Sequence, residues 1–354
     1  MGISSFAFFP KRAVGIDIGT SFLKVVELSR WGSSVRLLNY GELAAKSIYE
    51  KPFRTFEKNT LMLSNKDVGR ALKGVLQGAG IKTTKAVFSI PDFSSFFTHF
   101  ELPPMTQEEI TGAVEFEAHR HIPIPLSEVA YDWEITSGKP GRQEPLRILL
   151  AAVPNELIYQ YRDIATLAGL QLVALEAEIF GLIRSSKDMI EDEAVLLIDM
   201  GAQSTTVNLA NKGSLTLSHS IDIGGNELTN RVSKALSISY EEAETKKQQE
   251  GVRLAVDRIS ILTPLIDVIL LEVQKIMQNI QTDMRIEPKR ILLAGGSANL
   301  VGLQEYVQEG LGLKTEIVDP FRAIFYPPIL ESVIRSMSPA YAVSLGMALR
   351  GLEK

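Results

Sequence analysis

The sequence contains no cysteine, so disulfide staples and thiolate chemistry are excluded and a reducing compartment is permitted. Long apolar runs are missing as well. None approaches the roughly 20 residues that a membrane-spanning helix requires, and a chain without a direct membrane span is expected. Histidine is scarce: His99, His119, His121 and His219 are the four present, and their spacing predicts no zinc site. Charge is nearly balanced, at a net -5, which argues against a nucleic-acid surface. The N-terminal MGISSFAFFPKR places Phe6, Phe8 and Phe9 before Lys11 and Arg12, too short and wrongly ordered for a signal peptide. Phe6 at the sixth position also breaks the myristoylation pattern, which leaves a frayed tail as the expectation and a docking tip as the alternative.

What is present is an ordinary globular composition, 45% hydrophobic and 22% charged over 354 residues, long enough for two domains with separate cores. The informative stretch is AVLLIDMGAQSTTV, Ala194 to Val207. Its apolar run reads as a buried strand that ends on Asp199, and Gly201, Ala202, Gln203 and Ser204 keep the following turn small enough for N–H groups to approach an anion. The design occurs a second time near the start. Ala13 to Ile16 leads into Asp17, then Gly19, Thr20 and Ser21, then a strand from Phe22 carrying Lys24, a point charge suited to phosphate. Two matched units predict two related domains facing one ligand.

The remaining elements follow from periodicity and caps. Helices are expected over Asn65–Ala79, from Thr106 to Arg120 or His121 with capping-box spacing to Glu109, and from Asn155 to Gly169. Strands are expected over Ser127–Ile135 and Arg147–Val153, so the span from Pro91 to Gly169 reads as a small αβ module inserted into the first domain. Glu176 is expected to begin a helix that crosses into the second half. There the strand meander repeats through Ser220; Asp222, Gly224, Gly225 and Asn226 then precede another helix, and Glu241 to Gln249 forms a charged one. The run Leu262–Met284 is apolar around most of its circumference and is expected to be largely buried. Ile291 to Ala294 opens into Gly295, Gly296 and Ser297, where bare backbone lets a ring or phosphate approach a helix N-terminus.

Three strand-fed glycine turns suggest a phosphate ligand. Asp17 and Asp199 could hold Mg²⁺ through its waters, the two Asp-x-Gly turns grip phosphates from opposite sides, and Gly295 and Gly296 border the nucleoside. Glu244 and Lys247 reach base and ribose edges, with an exposed helical ion pair as the alternative.

DIGTSFLK (Asp17 to Lys24), LEAEIFG (Leu175 to Gly181), DMGAQST (Asp199 to Thr205), EAETK (Glu242 to Lys246, with Lys247) and AGGS (Ala294 to Ser297) together resemble the actin-like ATPase superfamily. Within it EEITGAVEFEAHRHIPIPLSEVAYDW and SPAYAVSLGMALRG resemble the type IV pilus assembly PilM family, more distantly the cell-division FtsA proteins. The resemblance implies an α/β chain with the actin-like ATPase fold: two RNase H-like lobes around a nucleotide cleft with a small inserted αβ subdomain. It divides the chain into a tail 1–12, a first lobe 13–90, the insert 91–169, a connecting strand and helix 170–192, a second lobe 193–225, a helical subdomain 226–285, the second lobe again 286–337, and a C-terminal helix 338–354 returning to the first lobe. It implies ATP and Mg²⁺ held by Asp17, Gly19, Thr20, Ser21, Lys24, Asp199, Gly201, Gln203, Ser204, Gly224, Gly225, Glu244, Lys247, Gly295, Gly296 and Ser297. Glu176 matches the polar residue that orients the attacking water, Glu178 is offset by two positions, and hydrolysis is expected to be slow or absent.

The resemblance also implies a cytoplasmic scaffold attached to the inner membrane through a partner, docking the N-terminal tail of PilN in a groove that involves the 91–169 insert, beside other pilus platform proteins. Two alternatives stay open. A small-molecule kinase on this fold needs a further base, and no third carboxylate motif is evident. An FtsA-like filament would self-associate head to tail, a contact with no sequence signature, while the ending Gly351 to Lys354 turns the expectation away from direct tethering.

Overall fold

The strand Lys11–Ile18 is shielded from water at every residue after Arg12, because it has a strand on each side and helices on both faces. The structure, a computed structural model, describes residues 10–47, 52–57, 60–190, 193–257 and 259–353. The Phe6, Phe8 and Phe9 tail lies outside the described residues.

The first sheet is ordered Gln171–Ala177, Lys85–Ile90, Lys11–Ile18, Phe22–Trp31, Ser34–Ala44. Its first three strands are parallel and the last two form an antiparallel meander. The second sheet repeats that plan: Lys314–Ile317, Arg290–Ala294 and Ala194–Met200 are parallel, and Thr205–Asn211 and Ser214–Ile221 complete the meander. Asp17 and Asp199 therefore sit one residue from the ends of corresponding strands. One face of the first sheet packs under the helices Asn65–Gly78 and Asn155–Ala168 through Val14, Ile16, Leu72, Phe88 and Tyr161. Burying apolar side chains of this size stabilises by about 2 kcal/mol each.

The other face is covered by the final helix, Ala342–Glu353. The approach is so close that a Cβ on Gly15 would lie 1.9 Å from the Ser344 carbonyl oxygen, and one on Gly346 would lie 1.9 Å from the Gly181 carbonyl oxygen. Glycine is required at both crossings. The last helix thus joins the first sheet to the connecting helix Glu178–Ser185.

The insert is a three-stranded antiparallel sheet, Phe96–Leu102, Leu146–Pro154 and Val129–Ser137, with the helix Gln107–His121 packed on it. The expected capping box is present, Glu109 receiving the Thr106 N–H at 2.8 Å. Several local expectations need correction. Strand Gln171–Ala177 runs two residues past Leu175, so the connecting helix begins at Glu178 rather than Glu176. The run from Leu262 to Met284 is a helix over Thr263–Asn279 continued by a π turn, and only one face is buried: Ile266, Ile269, Leu270, Val273 and Ile276 are inside, while Val268 and Leu271 face water. Strands Phe96–Leu102 and Lys314–Ile317, the hairpin Arg54–Glu57 with Thr60–Leu63, and the helix Glu331–Met337 were not expected.

Candidate nucleotide cleft between two glycine turns

The same backbone bond closes both Asp-x-Gly turns. Gly19 N–H donates to the Phe22 carbonyl at 2.9 Å, and Gly201 N–H donates to the Ser204 carbonyl at 3.0 Å. A Cβ on Gly19 would stand 2.7 Å from the Phe22 oxygen and one on Gly201 would stand 3.0 Å from the Ser204 oxygen, so each turn needs its glycine. The turns meet across the space between the sheets: Thr20 Oγ1 donates to Gln203 Oε1 at 3.3 Å and Ser21 Oγ donates to Asn226 Oδ1 at 3.2 Å. Gly225 N–H and Asn226 N–H bond to the Gly201 and Ala202 carbonyls at 2.9 and 2.8 Å, fastening the start of helix Gly225–Leu236 to the second turn. A Cβ on Gly224 would be 2.7 Å from three backbone atoms of residues 202–204.

Acidic side chains gather at one end of this cleft. Asp17 is 8% exposed, accepts a hydrogen bond from Ser89 Oγ at 2.8 Å, and is the cross-strand neighbour of Lys24. Lys24 Nζ lies 5.8 and 5.9 Å from the Phe22 and Tyr341 ring centroids, and its charge acts on Asp199. Asp199 borders Gly295, where φ is +87° and a Cβ would fall 2.3 Å from the Asp199 carboxylate. Burial, with the nearby charges of Glu178 and Asp17, pushes the Asp199 carboxyl up to about 7, against the pull of Lys24 and Arg54. Glu178, the first residue of the connecting helix, is raised by burial despite a 2.8 Å ion pair with Arg54. Asp92 is raised well above the usual carboxylate range by burial and by Glu178, while its Oδ1 accepts the Ile179 N–H at 3.0 Å.

A second polar cluster belongs to the second sheet and its helices. Lys247 is 5% exposed and donates to Glu244 at 2.8 Å, Thr229 Oγ1 at 2.8 Å and the Gly225 carbonyl at 3.2 Å. Lys247 holds Glu244 below its ordinary carboxylate value although burial opposes it. The alternative of an exposed ion pair is set aside for Lys247. Ser297 Oγ is 2.8 Å from a Cβ placed on Gly225, and Ser297 N–H donates to the Met200 carbonyl at 3.2 Å. No described atom lies within 4 Å of a Cβ placed on Gly296, so that backbone is open.

Glu176 is not part of this assembly. It lies on the outer strand, two strands from Asp17, where Arg184 donates to it at 2.8 Å and Arg350 lies alongside. Two residues further, where strand becomes helix, the chain delivers Glu178 to the cleft instead. Sequence reading also missed Ser89, Asp92, Asn226, Thr229, Tyr240 and Arg54. Asn226 had a signal, since it follows the glycine pair directly. Arg54 had none, because its segment has neither periodicity nor a flanking motif.

Among the described residues no three His, Asp or Glu side chains stand where they could hold a metal directly. A larger groove of about 510 Å³ lies away from the turns, between Tyr40–Leu43 and the helix Asn65–Gly78, with only Glu42 and Arg70 as charged lining. A second cavity, about 320 Å³, lies where Phe96–Thr98 of the insert faces Ser218–Ser220 of the second sheet, with Asp92 and Phe93 in its wall.

Comparisons with known proteins agree with this architecture. The "PilM-PilN type IV pilus biogenesis complex" superposes with a TM-score of 0.83 at 23% identity, covering 97% of this chain and 99% of that one. MreB5 of Spiroplasma citri bound to ADP superposes at 0.53 with 12% identity, covering 96% and 95%. In sequence, cell division protein FtsA of Streptococcus pneumoniae serotype 2 (strain D39 / NCTC 7466) is 21% identical over 356 residues, 90% of this chain and 78% of that protein. The fold is actin-like: paired lobes about a cleft, with a small αβ insert. The family model for type IV pilus assembly protein PilM matches residues 15–352, and the chain belongs to that family.

Proposed function

We propose that this chain is an ATP-binding adaptor of the type IV pilus inner-membrane platform, cytoplasmic and held at the membrane by the N-terminal tail of a PilN-type partner. The observation that supports nucleotide binding best is the pair of identically bonded glycine turns, joined across the cleft with Asp17 and Asp199 beside them. The site fits the ligand. Gly19, Gly201 and Gly224 let the turns fold so tightly that a Cβ would strike their own backbone, and the hydroxyls and N–H groups of Thr20, Ser21, Gln203 and Ser204 suit phosphate oxygens. Asp17 and Asp199 would hold Mg²⁺ through its waters, and the ion would neutralise phosphate charge. Gly225, Glu244, Lys247, Gly296 and Ser297 would enclose the nucleoside. Glu178, rather than Glu176, would orient water, and its ion pair with Arg54 favours slow turnover.

The 320 Å³ cavity at the insert is the place we assign to the partner tail. Two sheet-edge strands, Phe96–Leu102 and Ser214–Ile221, border it, so an extended peptide can find backbone partners there as well as the aromatic wall of Phe93, Phe96 and Phe97. The family membership and the likeness to a PilM–PilN complex support the same reading. Calorimetry with Mg²⁺–ATP and with a synthetic PilN-tail peptide tests it. Each is expected to bind at one per chain. Lys24→Ala should weaken the nucleotide alone, and Ser218→Trp, which fills the cavity, should abolish the peptide alone. Failure of the unmodified protein to bind either ligand would end the proposal.

A further inference from the structure

Arg54 belongs to neither turn and to no motif, yet the fold delivers it to the acidic end of the cleft. Phe53 N–H donates to the Thr20 carbonyl at 3.1 Å, so the residue before Arg54 is bonded to the first glycine turn itself. Arg54 is 8% exposed; one guanidinium nitrogen donates to Glu178 at 2.8 Å, and the group lies 5.6 Å from the Phe93 ring centroid. Its Nε is buried without a well-directed acceptor among the described residues; the buried Tyr161 hydroxyl, itself without a well-directed partner, lies beside the guanidinium. A buried guanidinium N–H without an acceptor costs free energy, and such orphans mark positions where an absent group completes the bonding.

The charge arrangement says what that group is. Four carboxyls, Asp17, Asp92, Glu178 and Asp199, surround two cations, Lys24 and Arg54. A terminal phosphate brought among them is repelled unless a cation meets it, and Arg54 has a donor to spare. The nucleoside corner of Gly225, Thr229, Glu244, Lys247 and Ser297 lies wholly in the second half of the chain, so a phosphate chain that starts there runs toward the acidic end. Its last phosphate reaches furthest. We infer that Arg54 distinguishes nucleoside triphosphate from diphosphate, its free Nε–H donating to an oxygen of the terminal phosphate that a diphosphate does not present. The inference rests on the cleft being a nucleotide site.

Calorimetric titration of the full chain with ADP and with a non-hydrolysable ATP analogue, both with Mg²⁺, tests it in the unmodified protein, Arg54→Gln and Arg54→Lys. Arg54→Gln is expected to weaken the triphosphate about tenfold while changing ADP less than about threefold, and Arg54→Lys to recover part of the difference. Because removing Arg54 strands the buried Glu178, the double variant Arg54→Gln with Glu178→Gln provides the same comparison if the single variant does not fold. Equal weakening of both nucleotides, or no weakening of either, overturns the inference alone. Failure of the unmodified chain to bind any nucleotide overturns it together with the reading beneath it.

Discussion

Glu176 and Glu178 show how far two positions separate two fates. Glu176 ends its side chain between Arg184 and Arg350, whereas Glu178 opens a helix at the floor of the cleft. Glu176→Gln is therefore expected to destabilise by about 1 kcal/mol, because Arg184 and Arg350 lose the carboxylate they share and keep only Glu353, and to leave nucleotide affinity unchanged in a titration. Glu178→Gln should leave affinity intact and slow any turnover. Asp199 carries a pH dependence whose sign follows from its raised carboxyl. The folded state favours the proton, so this contribution to stability is complete below the unfolded value near 4 and is lost as pH rises toward about 7. Asp199→Asn should raise the melting temperature at pH 8 by a few degrees, flatten the fall between pH 4 and 7, and weaken Mg²⁺-nucleotide binding. Melting curves across that range check the first two, and calorimetry the third. At this scale the glycines and aspartates of the turns were legible, because their chemistry is local. Arg54 and Asp92 were not, because what makes them part of the cleft is burial beside distant chain.

Elements with strong period or caps were legible for the same reason. The helix Gln107–His121 announces itself by Thr106 and Glu109, and the strand ending at Asp199 by its apolar run. The strand Phe96–Leu102 was hidden, since Phe96 to His99 are all half-buried between the insert and its neighbours and show no alternation. The run Leu262–Met284 reads as largely buried because Val268 and Leu271 are apolar too, but apolar residues also occupy surfaces. Packing of the last helix against the connecting helix turns on single glycines. Gly346→Ala would place a methyl 1.9 Å from the Gly181 carbonyl oxygen, forcing the helices apart, and is expected to cost at least about 2 kcal/mol in chemical denaturation. Gly74→Ala, which meets nothing within 4 Å in the helix Asn65–Gly78, is its control and should be neutral or stabilising.

The molecule as a whole is two lobes sharing one strand order, and its cleft is bridged at the mouth by side chains. Lys46 reaches from the first lobe over the Tyr240 ring, 3.3 Å from its centroid, and pairs with Glu241 at 3.4 Å, while Tyr240 OH donates to the same Asn226 that Ser21 reaches. Both charges are exposed, 57% and 73%, so the pair adds little to stability. Under the proposed function, a pair that spans the two lobes predicts a kinetic role. Lys46→Glu should speed nucleotide release several-fold in stopped-flow displacement and leave the melting temperature within about a degree; an unchanged release rate would count against a gate. The doubled architecture was readable from two Asp-x-Gly turns. The bridging contacts join residues some 200 positions apart, and no local pattern foretells them.

One consequence of the final helix concerns how the chain is made. Ala342–Glu353 lies across the strand formed from Lys11–Ile18, so that face of the first sheet stays bare until residues 342–353 have left the ribosome. The first strands cannot mature as they emerge. They must wait, their apolar surface shielded by other means, for a helix made more than 300 residues later.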